Sequence, residues 1–268
     1  MNIIYSKTSS DGNCTIIESE KGSMIIVDCG LKLDIVNKAI GYKIQQADTI
    51  LVTHQHSDHI GYLKDFCKLG IEIYLNEETM AVCGDNKSTR AYKYLFNPMK
   101  IYEKVVDDKK EYFYNPFVLE DFVILPFPLV HTSHIKDENG YQVEITCECT
   151  GFLIAEKSTK EKLLWITDTM YVHNKFNAVD YICIECNYFE VDNYVEEMEF
   201  IKNKQVEKRR LKSHMSFETA LNFVNNQDLS KCKQIRLLHL SSSLDDSQRK
   251  GIARKFRNEL KKDIEVIA

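Results

Sequence analysis

Three short apolar runs open the chain, at Asn2 to Lys7, Cys14 to Glu18 and Ser23 to Asp28. The turn pairs Asp11-Gly12 and Lys21-Gly22 separate them, a pattern that predicts a β-meander. After Asp28-Cys29-Gly30 the period changes: Leu33, Val36 and Ile40 recur at helical spacing and predict an amphipathic helix over about Leu31 to Ile40. The run Thr49-Ile50-Leu51-Val52-Thr53 predicts a strand, followed by a helix from about Asp58 to Leu69 and a strand at Ile71 to Leu75. Residues 78 to about 115 are polar, charged and weakly periodic, which predicts a helical insertion or lid. Strand patterning returns at Phe117 to Val130, Gly151 to Ala155, Leu163 to Thr167 and Tyr181 to Ile184. Helices at about Ser216 to Asn225 and Ser247 to Lys261 flank a last core strand, Gln234 to Leu238. A meander, then strands alternating with helices and no internal repeat, predicts an α/β protein with sheets sandwiched by helices.

A chain of 268 residues suffices for a single large domain, expected to run from 1 to 268. The net charge of −5 argues against a broadly basic nucleic-acid coat but leaves room for a local basic groove. Nine cysteines, an odd number and scattered, suit reduced thiols in a cytoplasmic protein better than a disulfide framework. Cys183-Ile184-Glu185-Cys186 has the spacing of a redox or zinc pair, yet it lies in an apolar run with no second pair to complete a zinc site. It reads as part of a buried strand. No secretory leader opens the chain and no apolar run approaches the ~20 residues of a membrane span, so no membrane association is expected.

The chemistry concentrates in Thr53-His54-Gln55-His56-Ser57-Asp58-His59, which holds three of the eight histidines directly after an apolar strand. A strand end fixes backbone direction, and the loop beyond it lets several side chains converge. His54 and His56 can turn towards one metal ion, while Asp58 and His59 can reach a neighbouring one. Imidazole with carboxylate suits zinc, and also iron or manganese. Two ions need more ligands than one loop offers, and three other apolar runs end in suitable residues: His131, Asp168 and His239. Strand termini on one sheet edge share a cleft, where such folds place their sites.

This order, from Asp28 through the His-x-His-x-Asp-His run to His239, resembles the metallo-β-lactamase superfamily. The resemblance implies an αββα sandwich: two mixed sheets packed face to face with helices outside. It implies a pair of divalent ions, zinc foremost with manganese or iron as alternatives. By that likeness His54, His56 and His131 hold one ion, Asp58, His59 and His239 the second, and Asp168 bridges them. Asp28 orients the cluster. His134 competes with His131, which is favoured because it directly follows its apolar run. His173 is expected at the surface or on the rim of the cleft.

Two features lean towards phosphodiester substrates. Ser213-His214-Met215-Ser216-Phe217-Glu218 and Leu237-Leu238-His239-Leu240-Ser241 look like the His-x-Ser-x-Glu and His-Leu-Ser signatures of nuclease-type members, including ribonuclease Z relatives and WalJ-like exonucleases. Ser216 suits a helix N-cap whose free amides face an anion. His214 lies just upstream, able to contact a phosphate oxygen or protonate a leaving alkoxide, with Asp58 and Asp168 positioning the nucleophile. The second feature is a basic stretch, Lys202, Lys204, Lys208, Arg209, Arg210 and Lys212, placed to contact a phosphate backbone. Thr132 stands after His131 where WalJ-like relatives carry aspartate, and about twenty residues separate it from Gly151-Phe152. The expected activity is a binuclear phosphodiesterase or nuclease acting on nucleic acid. Rival expectations are a thioester or lactone hydrolase on the same scaffold, or a silent scaffold binding nucleic acid or a partner. The oligomeric state is left open.

Overall fold

A computed structural model describes residues 1–106, 109–136, 142–188, 213–240 and 244–268, with the side chains of 101–113, 130, 133–136 and 142–144 outside the described set. The chain divides into two compact units: Met1–Pro128 with Glu148–Trp165, and Leu129–Cys147 with Ile166–Ala268. Two mixed sheets, of six and seven strands, together with helices make this an α/β fold.

The first unit begins with β1 (Asn2–Lys7), β2 (Cys14–Glu18) and β3 (Met24–Val27), paired antiparallel as the meander expected from the turn pairs. Helix α1 (Leu33–Ala39) leads to β4 (Ala47–Leu51). Two short helices, α2 (Ser57–Ile60) and α3 (Leu63–Cys67), lead to β5 (Glu72–Asn76), and α4 (Glu77–Asp85) precedes β6 (Phe96–Met99). Strands β3 to β6 pair in parallel, so the six-stranded sheet follows the sequence order. Ile16 and Ile17, like Ile25 and Ile26, are neighbours pointing to opposite faces, and all are buried, so β2 and β3 are covered on both sides. On one face Val36, Phe66 and Cys83 of the helices pack with Ile16, Ile26, Ile50 and Ile73.

The single helix expected from Asp58 to Leu69 is broken at Gly61-Tyr62. The amide of Tyr62 donates to the Cys29 carbonyl at 2.9 Å instead of continuing the helical ladder, which ties this region to the turn after β3. Among its described residues, the stretch 78–115 is helical only in α4 and a 3-10 turn at Arg90–Leu95; it also holds β6 and the antiparallel strands β7 (Ile101–Val106) and β8 (Lys109–Tyr114). The helical insertion is thereby corrected: cross-strand pairing partners, invisible in one segment alone, turn this polar stretch into strands.

The first unit also contains β9 (Phe117–Val118), the opening of β10 (Phe122–Lys136), the end of β11 (Gln142–Glu156) and β12 (Lys162–Ile166). Strands β9 and β10 pair antiparallel, as do β11 and β12. Gly151 is required there, because a Cβ would overlap the Phe127 ring. In the second unit β13 (Tyr181–Glu185), β14 (Gln234–Leu238) and β15 (Glu265–Ile267) pair in parallel. They are accompanied by α5 (Phe217–Asn225) and α6 (Asp246–Glu259). Both helices are capped by their sequence: Ser216 accepts from the Thr219 amide, and Asp245 with Gln248 forms a reciprocal capping box.

Candidate metal-binding clusters

The first unit carries the dense motif. The loop after β4 and the start of α2 hold His54, His56, Asp58 and His59, of which His54 and His59 are fully buried. Asp28 sits just past β3 with φ 65°, a left-handed turn that an L-residue adopts at some cost. Its carboxylate accepts from the Thr53 amide at 2.8 Å and from the Thr53 hydroxyl at 3.0 Å. It also bonds Nδ1 of His59 at 2.8 Å. That bond fixes the ring: with the proton on Nδ1 facing Asp28, Nε2 keeps its lone pair, the arrangement that orients a metal-ligating imidazole. Burial raises the pKa of Asp28, and the His59 and Thr53 bonds oppose the rise.

Nε2 of His54 and Nδ1 of His56 face each other at 2.9 Å. Nε2 of His59 lies 3.3 Å from an Asp58 oxygen. The Asn13 side chain spans this pair, donating to Asp58 at 3.0 Å and meeting His59 Nε2 at 3.0 Å. Backbone bonds lock the same corner: the Asn13 amide donates to the Asp58 carbonyl at 2.7 Å and the Cys29 amide to the His59 carbonyl at 2.6 Å. Gly30 is dictated by this approach, since any Cβ there would overlap the Asp58 carbonyl.

The second unit carries a separate donor group. One ligand atom each of Asp168, Glu185, His214 and His239 lies within 4.8 Å of the others, with Asp168, Glu185 and His239 buried. Asp168 and His239 both follow strands in left-handed backbone, φ 50° and 52°. An Asp168 oxygen stands 3.6 Å from Nδ1 of His214 and 3.6 Å from Nε2 of His239. Glu185, the last residue of β13, meets Nδ1 of His214 at 2.5 Å and accepts from the Thr169 amide at 3.0 Å. Burial disfavours charge on His214, but Glu185 and Asp168 outweigh it and hold its pKa above the ordinary histidine value, with His239 opposing. Asn187 bonds Nδ1 of His239 at 2.9 Å. His131, also in this unit, has Nδ1 at 3.0 Å from the Ser213 carbonyl, which leaves Nε2 as its ligand atom, and its ring centroid is 5.4 Å from that of His214.

Both clusters suit cations: each gathers imidazole and carboxylate donors, most of them buried. Several sequence expectations change. His131 is not at a strand end, because β10 runs on to Lys136. His134 lies in the same strand with its side chain outside the described set, as are the basic stretch from Lys202 to Lys212 and Ser241. Helix α5 does not offer an open row of amides to an anion: the Phe217 amide donates to the Tyr188 carbonyl at 2.6 Å, and the Thr219 amide is taken by Ser216. Glu218, half-buried on the first turn of α5, is absent from the donor groups among the described residues. Cys183 and Cys186 are buried free thiols; burial pushes Cys183 up to about 12, an inert state that fits the buried-strand reading. Glu185 and Asn13 were missed. Glu185 carries the signal that found Asp168 and His239, a polar residue closing an apolar strand, but the cysteine spacing around it drew the attention. No helix among the described residues is long and apolar enough to cross a membrane.

Residues 8–137 match the family model of the metallo-beta-lactamase superfamily. The exodeoxyribonuclease WalJ of Streptococcus pneumoniae is 36% identical over 86 residues, 30% of this chain and 31% of that protein. The ribonuclease Z of Clostridium kluyveri is 43% identical over 54 residues, 20% of this chain and 18% of that protein. The chain thus matches less than a third of either relative's length. The crystal structure of the metallo-beta-lactamase fold protein YhfI from Bacillus subtilis superposes with a TM-score of 0.61 at 15% identity, covering 98% of this chain and 94% of the other. The chain is thus similar to the metallo-beta-lactamase superfamily over the histidine motif, and it shares the fold of YhfI over nearly its whole length.

Proposed function

We propose that the protein is a binuclear metal-dependent phosphodiesterase acting on nucleic acid. His54, His56 and His131 would hold one divalent ion and Asp58, His59 and His239 the other, with Asp168 shared between them. Zinc suits this imidazole-rich set best, and manganese or iron also fits it. When bound, such a pair supplies Lewis acidity and a water brought near neutrality as a nucleophile.

The chain's own residues do the rest. Asp28 and Thr53 hold His59 in one tautomer. Asn13 restrains the Asp58 carboxylate, so the nucleophile's partner does not rotate away. Asp58 and Asp168 position the attacking water, and His214 hands a proton to the departing oxygen.

The observation that carries the reading is the His214–Glu185 pair at 2.5 Å. With one ring nitrogen bonded to a buried carboxylate, His214 is built to deliver a proton from the other. An alkoxide leaving a phosphodiester needs that proton; a thiolate, whose conjugate acid has a pKa near ~8.5, does not. The similarity to the WalJ exodeoxyribonuclease and to ribonuclease Z supports the same substrate class.

The test is metal analysis of the purified protein together with a substrate panel of bis(p-nitrophenyl) phosphate, single- and double-stranded DNA, RNA and a thioester. Turnover of phosphodiesters, lost in Asp58→Ala together with metal, is the expected result. Hydrolysis of the thioester alone, or full activity in a metal-depleted Asp58→Ala protein, would overturn it.

A further inference from the structure

The second unit contains a cavity of about 380 Å³ that the proposed chemistry leaves unused. Its volume lies in the range of small-ligand sites, roughly 300–1,000 Å³. One wall is the loop after Asp168, with Tyr171, His173 and Lys175; the other is α5, with Thr219, Asn222 and the C-cap residue Asn226. Val172 and Phe223 supply buried apolar surface between them.

The cavity is close to the second unit's donor group by chain connection alone. Tyr171 follows Asp168 by three residues, a span of at most ~11 Å. The loop is also held short, because the Thr169 hydroxyl donates to the Tyr171 carbonyl at 3.0 Å. Thr219 is on the first turn of the helix whose cap, Ser216, comes two residues after His214. The cavity's walls are therefore continuous in chain with the residues that carry the donor group.

Its lining selects the ligand class. Tyr171 is 52% exposed and its ring meets the His173 ring edge-on, with centroids 4.6 Å apart, an aromatic wall of the kind on which a base stacks irrespective of sequence. Asn222 and Asn226 lie four residues apart on one exposed side of α5. Each amide offers both donors and an acceptor, as the edge of a base requires. Among the described residues lining the cavity, Lys175 brings an ammonium group and there is no carboxylate, which favours a phosphate. Gln227 is already engaged, accepting from the Phe176 amide at 2.8 Å and donating to the Phe223 carbonyl at 3.1 Å, and serves as frame.

We propose that this cavity is a nucleobase subsite, holding the base of a nucleotide that flanks the phosphate to be cleaved. The proposal rests on the phosphodiesterase reading for its purpose, but not for its measurement. Adenosine and uridine 5′-monophosphates would be titrated into the purified protein by calorimetry, with ribose 5-phosphate as the base-free control. Both nucleotides should bind more tightly than the control, and Tyr171→Ala and the Asn222→Ala/Asn226→Ala pair should each weaken them about tenfold, one base stack's worth, with melting temperature unchanged. With a dinucleotide substrate the same variants should raise KM by a similar factor, while bis(p-nitrophenyl) phosphate, which has no base, is hydrolysed as before. Equal binding of nucleotides and ribose 5-phosphate, or variants that bind nucleotides as the parent does, would overturn the subsite. If no phosphodiester is hydrolysed yet nucleotide binding is lost in Tyr171→Ala, the hydrolase reading falls and the subsite stands.

Discussion

At the scale of single residues, the two donor groups are defined as much by what holds the histidines as by the histidines themselves. Thr53 bonds Asp28 through amide and hydroxyl, and its hydroxyl is also 3.1 Å from Nδ1 of both His54 and His59. Replacing it by valine removes the hydroxyl and leaves a buried carboxylate short of a donor, at a cost of about 1–3 kcal/mol. Urea denaturation of Thr53→Val should show that loss; unchanged stability would mean that the backbone bond alone satisfies Asp28. For His214 the leaving group is the probe. His214→Ala should slow cleavage of a dinucleotide by about a hundredfold or more, the usual contribution of a general acid. The same variant should affect bis(p-nitrophenyl) phosphate far less, since p-nitrophenolate departs without a proton. Glu185→Gln should follow the same split. Equal losses on both substrates would instead assign these residues to metal binding or folding.

At the scale of elements, the strands end where the chemistry begins. Asp28, Asp168 and His239 each stand just past a strand in left-handed backbone, so the chain reverses while the side chain is held at the sheet edge. Such conformations persist where the surroundings over-determine them. Gly30 shows how close that fit is: Gly30→Ala should yield insoluble protein or one with depleted metal, read by soluble yield and metal content, because the Asp58 carbonyl occupies the position of a new Cβ. Helix α5 is started by Ser216, and Ser216→Ala should cost about 1 kcal/mol in chemical denaturation. Elements were legible wherever the signal was local. The opening meander needed only turn pairs and alternation, and the cap at Ser216 only a residue preference. The break at Gly61-Tyr62 and the strands within 78–115 were not legible, because a distant carbonyl at Cys29 and sheet partners decide them.

At the scale of the molecule, metal binding and stability should be coupled, because ions that bind only the folded chain shift the folding equilibrium. At a free metal concentration a hundred times Kd the gain is about 2.7 kcal/mol, equivalent to roughly 5–10 °C for a chain of this size. Chelator-treated protein should melt lower by that amount and recover when zinc is returned; identical melting curves would argue against a structural metal pair. By itself the sequence determined the fold class and pointed to the candidate donors, because strand-forming runs, turn pairs and a histidine cluster are local and dense. His54, His56, Asp58 and His59 were readable as a dense cluster after an apolar run, and Asp168 and His239 as polar residues closing one. Only the tertiary structure decided which groups restrain them: Asn13 on Asp58, Asp28 and Thr53 on His59, and Glu185 on His214. It also decided that the amides of α5 are spent on Tyr188 and Ser216, and that the loop after Asp168 faces α5 across a cavity. The reason is physical. A ligand's identity is a property of one residue and its neighbours in sequence, whereas its tautomer, its proton and the space beside it depend on groups tens of residues away that only folding brings within hydrogen-bonding distance.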